Sequence, residues 1–263
     1  MSYVVIKCGG SILNHLPEDF FKNIAKLKKN HHLNPIVVHG GGPAISAFLD
    51  KMQIETRFVN GLRVTTEPVL NVVEMVLSGS INKWITRKLS SAGAKAIGIS
   101  GTDGSLLTAK QMEQHRPLGY VGEVESVNQA VLTDLVDRHF IPVISPLALN
   151  KDGQRLNVNA DLAAAAIAKK MDAALWMVTN VPGVMQKGKV LPNLTAAEVQ
   201  ALTQEKVITG GMIPKVQAAC DCVASGAKEV VIVNGMDGNS LLQLAGGEAT
   251  GTKFTGNGVL MNG

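Results

Sequence analysis

Short apolar runs alternate along the chain with segments whose apolar residues recur at spacings of three and four. An apolar run without polar alternation is typical of a strand buried on both faces, whereas the longer spacing is typical of an amphipathic helix. The first pattern predicts strands over 3–6, 36–38, 94–100, 141–145, 175–178 and 229–234. The second predicts helices that begin near residues 17, 43, 68, 128, 160, 195 and 210. Repeated strand–helix units of this kind predict an α/β protein, a three-layer α-β-α sandwich around a mainly parallel open sheet.

Two segments depart from this pattern. Alternation and glycines over 118–127 predict an antiparallel ribbon, and 184–190 is predicted to form a hairpin that turns at Lys187 and Gly188. The 263 residues are enough for one large domain or for two lobes that share a core. We place a lobe boundary near residue 173, which gives predicted lobes of 1–173 and 174–263.

Composition narrows the classes of function. A hydrophobic fraction of 46% with 27 glycines suits an α/β protein with many strand-to-helix turns. The net charge of +4 is mild, and its basic residues are scattered without aromatic neighbours, which argues against nucleic-acid binding. Three cysteines in a chain of this length indicate no disulfide framework, and no apolar run approaches the length of a membrane span. We therefore expect a cytoplasmic protein with no membrane partner and no metal-ligand cluster.

Three successive glycines follow the predicted strand 36–38. Gly40, Gly41 and Gly42 stand between this strand and Pro43, where a helix is predicted to begin. Backbone amides at such a junction can bind an anion, and the missing Cβ atoms allow a charged group to approach closely. The alternative is a tight turn without a ligand. Because three glycines exceed what a turn needs, we favour the anion site.

Two well-known phosphate-binding motifs are absent from the chain. No Gly-x-x-x-x-Gly-Lys-Ser/Thr sequence occurs, which excludes a P-loop. The dinucleotide fingerprint also fails, since Ile45 occupies the position of its third glycine. A phosphate site in this protein must therefore have a different construction.

Two lysines and one aspartate are candidates for chemistry at strand ends. Lys7 lies directly at the end of the first predicted strand, before Gly9 and Gly10, and ligands of open α/β sheets bind at the carboxyl ends of strands. Lys215 lies in the first turn of a predicted helix, where its charge opposes the helix dipole unless an anion binds there. Together the lysines suggest a clamp on a transferring phosphoryl group, with Asp161 holding their ammonium groups. Taken alone, each lysine is more often simply solvated, and Asp161 is more often a first-turn acid.

Three further polar residues are ambiguous by themselves. Arg63 follows the turn signal Asn60-Gly61 and offers a planar fork suited to a carboxylate, and a surface salt bridge fits it equally well. Asn157 fits either a ligand contact or turn geometry. His39 ends an apolar strand and is interpreted as a hydrogen-bonded, semi-buried imidazole rather than a catalytic group.

Considered together, these motifs resemble those of the N-acetylglutamate kinases, a branch of the amino acid kinase family. The resemblance covers nearly the whole chain, and its most specific parts are the motifs that begin at Asn60 and at Asn157. In chain order, the motifs are Lys7-Cys8-Gly9-Gly10, Val38-His39-Gly40-Gly41-Gly42-Pro43, Asn60-Gly61-Leu62-Arg63-Val64-Thr65, Asn82-Lys83, Asn157-Val158-Asn159-Ala160-Asp161 and Gly211-Met212-Ile213-Pro214-Lys215.

The resemblance implies the amino acid kinase fold and ATP-dependent phosphorylation of the side-chain carboxylate of N-acetyl-L-glutamate, the second step of arginine biosynthesis. It implies that Lys7 and Lys215 stabilise the transferring phosphoryl group and that Asp161 organises them. Lobe 1–173 would then bind the acetylamino acid and form a dimer, and lobe 174–263 would bind ATP, with Mg²⁺ carried by the nucleotide. The implied phosphoryl-binding backbone is Gly10 and Gly42, and the implied substrate-binding residues are Gly41, Gly42, Arg63 and Asn157. The implied nucleotide-binding residues are Thr179, Asn180, Val181, Pro182, Gly183, Val184, Met185, Val207, Ile208, Thr209, Gly210 and Gly211.

Two features qualify the resemblance. Asn180 stands where the family commonly has Asp, which removes a negative charge near the expected nucleotide. Arginine-inhibited hexameric members carry an extra helix before the first strand, whereas here the first strand is predicted almost at Met1. The resemblance therefore implies an arginine-insensitive homodimer.

The implied chemistry needs no general base, because a carboxylate with a pKa of ~4.3 is already ionised at neutral pH.

Two alternatives for the function stay open at this point. The substrate could be an N-blocked aminoadipate of lysine biosynthesis, or the chain could be a non-catalytic, amino-acid-binding regulatory subunit. The presence of Lys7, Lys215 and Asp161 argues against the second alternative, and Asn180 argues weakly for it.

Overall fold

The computed structural model describes residues 2–112 and 118–256, so the last seven residues of the predicted lobe 174–263 lie outside the described residues. The strands are β1 Ser2–Cys8, β2 Leu33–His39, β3 Phe58–Val59, β4 Leu62–Arg63, β5 Ala96–Ser100, β6 Leu107–Gln111, β7 Val121–Val127, β8 Ile141–Ser145, β9 Leu147–Leu149, β10 Arg155–Val158, β11 Ala174–Thr179, β12 Met185–Gln186, β13 Lys189–Val190, β14 Asn193–Thr195, β15 Val230–Asn234 and β16 Thr252–Thr255. The helices are α1 Glu18–His31, α2 Gly42–Lys51, α3 Glu67–Glu74, α4 Asn82–Ser91, α5 Gln129–Asp137, α6 Ala160–Lys170, α7 Ala196–Gln204, α8 Met212–Ala224 and α9 Ser240–Ala245. Short 3₁₀ turns lie at Leu13–His15 and Asp103–Ser105.

An eight-stranded sheet in the order β14-β16-β15-β11-β1-β2-β8-β5 forms the centre of the molecule. Its neighbouring strands run parallel except at the β15–β16 pair. The central parallel strands contain buried apolar runs: residues 4–6 of β1 and 36–38 of β2 have almost no exposed surface, as strands covered on both faces require. The predicted mainly parallel sheet is confirmed.

Helices cover both faces of this sheet. One face packs on α5, α6, α7 and α8 through residues such as Leu132 and Val216. The other packs on α1, α4 and α9 through residues such as Phe21, Leu89 and Leu241. The three-layer α-β-α sandwich predicted from the strand–helix alternation is therefore confirmed.

A small barrel closed by β10, β7, β6 and β9 lies beside the main sheet. The ribbon predicted over 118–127 is wrong, because residues 121–127 form one strand whose antiparallel partner is β6. The prediction failed because it interpreted Gly122 as part of a turn. A Cβ at this glycine would lie 2.8 Å from that of Leu156 in β10, so the glycine allows close strand packing within the barrel and does not mark a turn.

The helix predicted from residue 68 to about residue 91 is present but not uniform. Between α3 and α4, residues Met75–Ile81 form a π-helical segment, so the whole stretch 67–91 is one continuous helical rod with an irregular centre. The hairpin predicted over 184–190 is also present, as the antiparallel pair β12–β13. Among the described residues, no helix is long and apolar enough to cross a membrane.

The main sheet joins the two predicted lobes. β1 belongs to the range 1–173 and β11 to the range 174–263, and the two strands pair in parallel from Val4 with Ala174 to Cys8 with Val178. The division into a substrate lobe and a nucleotide lobe stays a prediction.

Candidate active site

The glycine turns after β1 and β2 meet at the carboxyl edge of the main sheet. These strands pair along their whole length, and the Gly40 amide donates a 3.0 Å hydrogen bond to the carbonyl oxygen of Cys8. A Cβ added to Gly10 would lie 2.7 Å from the amide nitrogen of Gly41 and 2.9 Å from that of Gly42. Only a glycine at position 10 allows the two turns to approach this closely.

The carbonyl groups of the second turn are all held away from the first. The carbonyl oxygen of Gly40 accepts from His39, that of Gly41 accepts from the amide of Ile45 at 2.9 Å, and that of Gly42 accepts from Arg63 at 3.1 Å. Within the described part of the chain, no acceptor is bonded to the amide nitrogens of Gly41 or Gly42, or to that of Gly10. The turns thus form a cradle of N–H donors, which we call the amide cradle (Gly10, Gly41 and Gly42).

The cradle is open on one side and closed on the other. A Cβ on Gly42 would meet nothing within 4 Å, whereas one on Gly41 would overlap the side chains of Leu77 and Ile81. These two residues belong to the π-helical segment, which packs against the back of the cradle. A ligand atom can therefore approach the cradle from the Gly42 side, next to the N-terminus of α2.

Lys7 and Asp161 form an ion pair beside the cradle. Lys7 Nζ lies 2.7 Å from Asp161 Oδ1, and the side chains are 14% and 21% exposed, so the pair is reachable from solvent but largely enclosed. Asp161 is the second residue of α6, whose start is fixed by Asn159: its side-chain oxygen accepts from the amides of Asp161 and Leu162. The sequence-based association of these two residues is thus present in the structure.

Lys215 lies in the first turn of α8, and its side chain contacts different partners at the end of the neighbouring strand, β11. Its Nζ donates to Asn180 Oδ1 at 2.8 Å and lies 3.4 Å from Thr179 Oγ1. Both partners are neutral, and burial lowers the pKa of Lys215. In the described residues the ion pair of Asp161 is with Lys7, so a direct role of Asp161 in holding Lys215 stays a prediction.

Arg63 is buried in the wall of the cleft without a carboxylate partner among the described residues. Its Nη2 donates to the carbonyl oxygen of Gly42 and, at 2.8 Å, to Ser46 Oγ, and its guanidinium lies over the ring of Phe58. The other terminal nitrogen, Nη1, is buried and has no hydrogen-bond partner in the described structure. Burial lowers the pKa of Arg63. A buried cation with an unpaired donor at a cleft is a fitting site for an anionic ligand group.

Asn157 is linked to Arg63 through one threonine. Asn157 Nδ2 donates to Thr65 Oγ1 at 3.1 Å, and Thr65 Oγ1 in turn donates to the carbonyl oxygen of Arg63 at 2.8 Å. The structure therefore brings Arg63, Asn157 and the amide cradle to one cleft, although neither residue has a distinctive periodic signal in the sequence.

The first predicted nucleotide segment, 179–185, begins at the last residue of β11. The second, 207–211, directly precedes α8. Gly210 and Gly211 stand in open space at the start of α8, and Asn180 is exposed. Val184 and Ile208 are buried in the core, so their side chains are unavailable to a ligand. Any contact from these two positions must come from their backbone.

Other polar and sulfur groups near the site are structural in this arrangement. Burial raises the pKa of the Cys8 and Cys222 thiols to about 12, so neither is a thiolate at neutral pH. No group of three or more His, Cys, Asp or Glu side chains in residues 2–112 and 118–256 could hold a metal ion.

Sequence reasoning did not assign the contacts of His39. The residue is hydrogen-bonded, as interpreted, but it is fully buried where a semi-buried ring was expected, and it directly precedes the amide cradle and contacts Asn82 of α4. The motif Asn82-Lys83 was a sequence signal, although nothing in its spacing predicts a contact with His39.

Comparisons with known proteins agree with this geometry. The sequence profile described as "Amino acid kinase family" matches residues 2–234. A relative named acetylglutamate kinase from Brevibacillus brevis is 48% identical over 256 residues, which is 95% of each chain. A second relative of that name, from Oceanobacillus iheyensis, is 45% identical over 97% of each chain. The crystal structure of smu.665 from Streptococcus mutans UA159 has a TM-score of 0.80 and 32% identity, and covers 96% of this chain and 98% of that one.

Proposed function

This chain belongs to the amino acid kinase family, and from that premise we propose that it transfers the γ-phosphoryl group of ATP to the side-chain carboxylate of N-acetyl-L-glutamate. The product is N-acetyl-L-glutamyl 5-phosphate, and the reaction is the second step of arginine biosynthesis. The relatives named acetylglutamate kinase match almost the full chain, which supports the choice of substrate within the family. The observation in the structure that carries the proposal is the amide cradle beside Lys7.

The cradle suits a phosphoryl group in transit. Its three N–H donors converge from two loops, and their partner-free state means that no protein acceptor must be displaced before an anionic oxygen binds. Preorganised donors of this kind stabilise charge that develops in a transition state. We assign Gly10 and Gly42 to the phosphoryl oxygens, and Gly41 and Gly42 to the acetylamino acid.

The lysines supply the charge. Attack by a carboxylate on a polyphosphate is opposed by repulsion between two anions, and no proton needs to be removed from the nucleophile. Lys7, held by Asp161, would approach the phosphoryl group from the β1 side, and Lys215 from the β11 side. The bond between the γ-phosphorus and the oxygen of ADP then breaks, and the bond to the carboxylate oxygen forms, between these two lysines.

Arg63 and Asn157 would hold the other end of the substrate. The unpaired Nη1 of Arg63 is suited to the α-carboxylate, and Asn157 to a polar group of the acetylamino acid. This assignment leaves the side-chain carboxylate free to face the cradle.

We further propose that the nucleotide lies over 179–185 and 207–211, where the start of α8 offers two glycines in open space. Mg²⁺ would enter bound to the phosphates of ATP and would reduce their negative charge. A cytoplasmic location and a homodimer belong to the same proposal. Met52, Phe58 and Met75, which are exposed apolar residues of the substrate half, support an association surface there.

The decisive experiment is an acyl-phosphate assay in which hydroxylamine traps the product. The purified protein, MgATP and N-acetyl-L-glutamate should give a hydroxamate, and an N-blocked aminoadipate of equal concentration should give far less. Preference for the longer acid would instead place the chain in lysine biosynthesis. Binding of acetylglutamate without any hydroxamate would indicate a regulatory, non-catalytic subunit.

A further inference from the structure

His39 is a buried titratable residue that the proposed reaction does not use. It closes β2, has no exposed surface, and directly precedes the amide cradle. Burial lowers its pKa from 6.5 to about 4, so the imidazole is neutral under working conditions. A neutral imidazole has one donor and one acceptor nitrogen, and the partners of each reveal what the ring does.

The two ring nitrogens have different partners. Nδ1 lies 3.0 Å from the carbonyl oxygen of Gly40, and Nε2 lies 3.3 Å from Nδ2 of Asn82. A carbonyl oxygen can only accept, so Nδ1 carries the proton and donates to Gly40. Nε2 is then the acceptor for the amide of Asn82, which fixes the tautomer.

The bond to Gly40 acts on the cradle through one peptide unit. The carbonyl group of Gly40 and the N–H of Gly41 belong to the same planar, trans peptide, so they point in opposite directions. A hydrogen bond that holds the Gly40 oxygen towards His39 therefore turns the Gly41 N–H away from His39. The Gly41 nitrogen lies beside the first glycine turn, since a Cβ added to Gly10 would lie 2.7 Å from it.

Asn82 fixes the ring from behind. Its Nδ2 has three acceptors within reach: His39 Nε2, the carbonyl oxygen of Ile99 at 3.1 Å and that of Val143 at 2.8 Å. Nδ2 carries two hydrogens, so the two carbonyl oxygens are enough to satisfy it even when the imidazole of His39 is absent. The side chain is thus anchored to β5 and β8 and supports the imidazole independently.

We propose that His39 is a positioning residue, which orients the Gly40–Gly41 peptide so that the Gly41 N–H joins the amide cradle. The expected effect on turnover rests on the proposed function, whereas the orientation of the peptide by His39 does not. Any other arrangement of the peptide would turn a carbonyl oxygen, instead of a donor, towards the bound anion and would repel it. The Gly41 N–H is assigned to the acetylamino acid, whose carboxylate is the nucleophile, so turning it away displaces a reacting group and should appear in kcat.

Two isosteric variants separate positioning from packing. In His39→Asn, the side-chain amide nitrogen stands at the position of Nδ1 and can still donate to Gly40, while Asn82 keeps its two carbonyl partners. In His39→Gln, the side chain reaches Asn82 but offers no donor at the position of Nδ1. We expect His39→Asn to retain kcat within about threefold, the scale of one ordinary net hydrogen bond. We expect His39→Gln to lose roughly 100-fold in kcat, as displacement of a reacting group does, with the KM for MgATP little changed.

Melting temperatures of both variants serve as the control for folding. Equal losses of kcat in the two variants, or losses that follow the melting temperatures, would overturn the proposal and reduce His39 to a packing residue. A KM effect without a kcat effect would also overturn it.

A measurement on the unchanged protein tests the geometry without any activity. Two-bond ¹H–¹⁵N correlation spectra of ¹⁵N-histidine-labelled protein should show His39 as the Nδ1–H tautomer at pH 7, and the Nε2–H tautomer would overturn the proposal. The Gly41 amide signal should shift in His39→Gln and stay near its place in His39→Asn. If the unchanged protein forms no acyl phosphate, the proposed function fails, while the tautomer and the Gly41 signal still decide the role of His39.

Discussion

Lys215 donates a 2.8 Å hydrogen bond to the side-chain oxygen of Asn180, so a neutral amide holds the cation that closes the β11 side of the site. The second contact of the ammonium group, Thr179 Oγ1 at 3.4 Å, is neutral as well. Lys215 therefore keeps its full charge for an incoming anion. Lys7 differs in this respect, because Asp161 already balances its charge.

This relationship predicts the effect of Asn180→Asp. A carboxylate in place of the amide would form an ion pair with Lys215 and add a negative charge beside the polyphosphate. On the scale of a partly exposed pair, about 1 kcal/mol, the KM for MgATP should rise roughly fivefold, while the KM for acetylglutamate stays the same. Steady-state kinetics at two salt concentrations measures this, with Asn180→Ala as the control that removes the hydrogen bond without adding charge. An unchanged KM for MgATP in Asn180→Asp would place the nucleotide phosphates elsewhere.

Lys7→Ala tests the cation beside the amide cradle. Loss of one preorganised charge partner should lower kcat by about 10²–10³-fold, the scale for removal of an oxyanion-hole donor. The matched control is Lys88→Ala, because Lys88 pairs with Glu18 on the surface. Both variants are assayed by hydroxamate formation, with circular dichroism to check folding. Near-normal turnover of Lys7→Ala would show that Lys7 takes no part in the reaction.

Gly10→Ala tests the contact between the two glycine turns. The added methyl group would come within 2.7–2.9 Å of backbone atoms of Gly41 and Gly42, which cannot move aside as a flexible side chain can. We expect a loss of activity of at least about 100-fold, since displacement by about 1 Å is enough for such a loss. Gly79→Ala is the control, because a Cβ there meets nothing within 4 Å. Equal activity in the two variants would contradict the close approach of the turns.

Arg63→Lys tests recognition of the substrate. A lysine keeps the charge but loses the fork that bonds Gly42 and Ser46 while leaving Nη1 for a ligand. One charged hydrogen bond is worth about 1.5–3 kcal/mol, so the KM for acetylglutamate should rise by roughly 10-fold to 100-fold. Arg57→Lys, at an exposed arginine that pairs with Glu55, is the control in the same initial-rate measurement. An effect confined to the KM for MgATP would reassign Arg63 to the nucleotide.

The low pKa of the buried His39 should make the free energy of unfolding depend on pH. Its pKa is about 4 in the folded protein and 6.5 in an unfolded chain, so between these values the unfolded chain binds a proton that the folded protein does not. The free energy of unfolding therefore falls as pH drops from 6.5 towards 4, by up to about 3 kcal/mol from this residue. Urea unfolding at several pH values should show a smaller fall in His39→Asn than in the unchanged protein. Parallel curves for the two proteins would show that His39 is accessible to protons when folded.

Local sequence pattern was sufficient for six of the eight strands of the main sheet and for the residues at their ends, whereas β14 and β16 were not predicted. Lys7 ends an apolar strand and precedes glycines, so its place at a cleft follows from strand polarity alone, and the glycine turns after β1 and β2 follow in the same way. Asp161 could be placed at a helix start, where Asn159 caps α6. Its pairing with Lys7 depends on how α6 packs over β1, which no local pattern encodes.

Three features lay beyond sequence reasoning because non-local contacts create them. β9 and β10 are only three and four residues long, and they become strands through pairing in the barrel. The π-helical segment has the same apolar spacing as the helices that flank it. His39 reads as the last residue of a buried strand, and its function as a donor depends on the conformation of the glycines that follow.

The central place of β1 has a consequence for synthesis on the ribosome. β1 leaves the exit tunnel before β2 and can pair with it once β2 emerges, but the other edge of β1 must wait for β11, since Val4 pairs with Ala174. Until then, an apolar strand edge stays uncovered on the nascent chain, where it can recruit unwanted strands. Translation pauses between these two regions should therefore lower the yield of folded protein more than pauses after β11, and trigger-factor-type chaperones should contact the chain mainly during that interval.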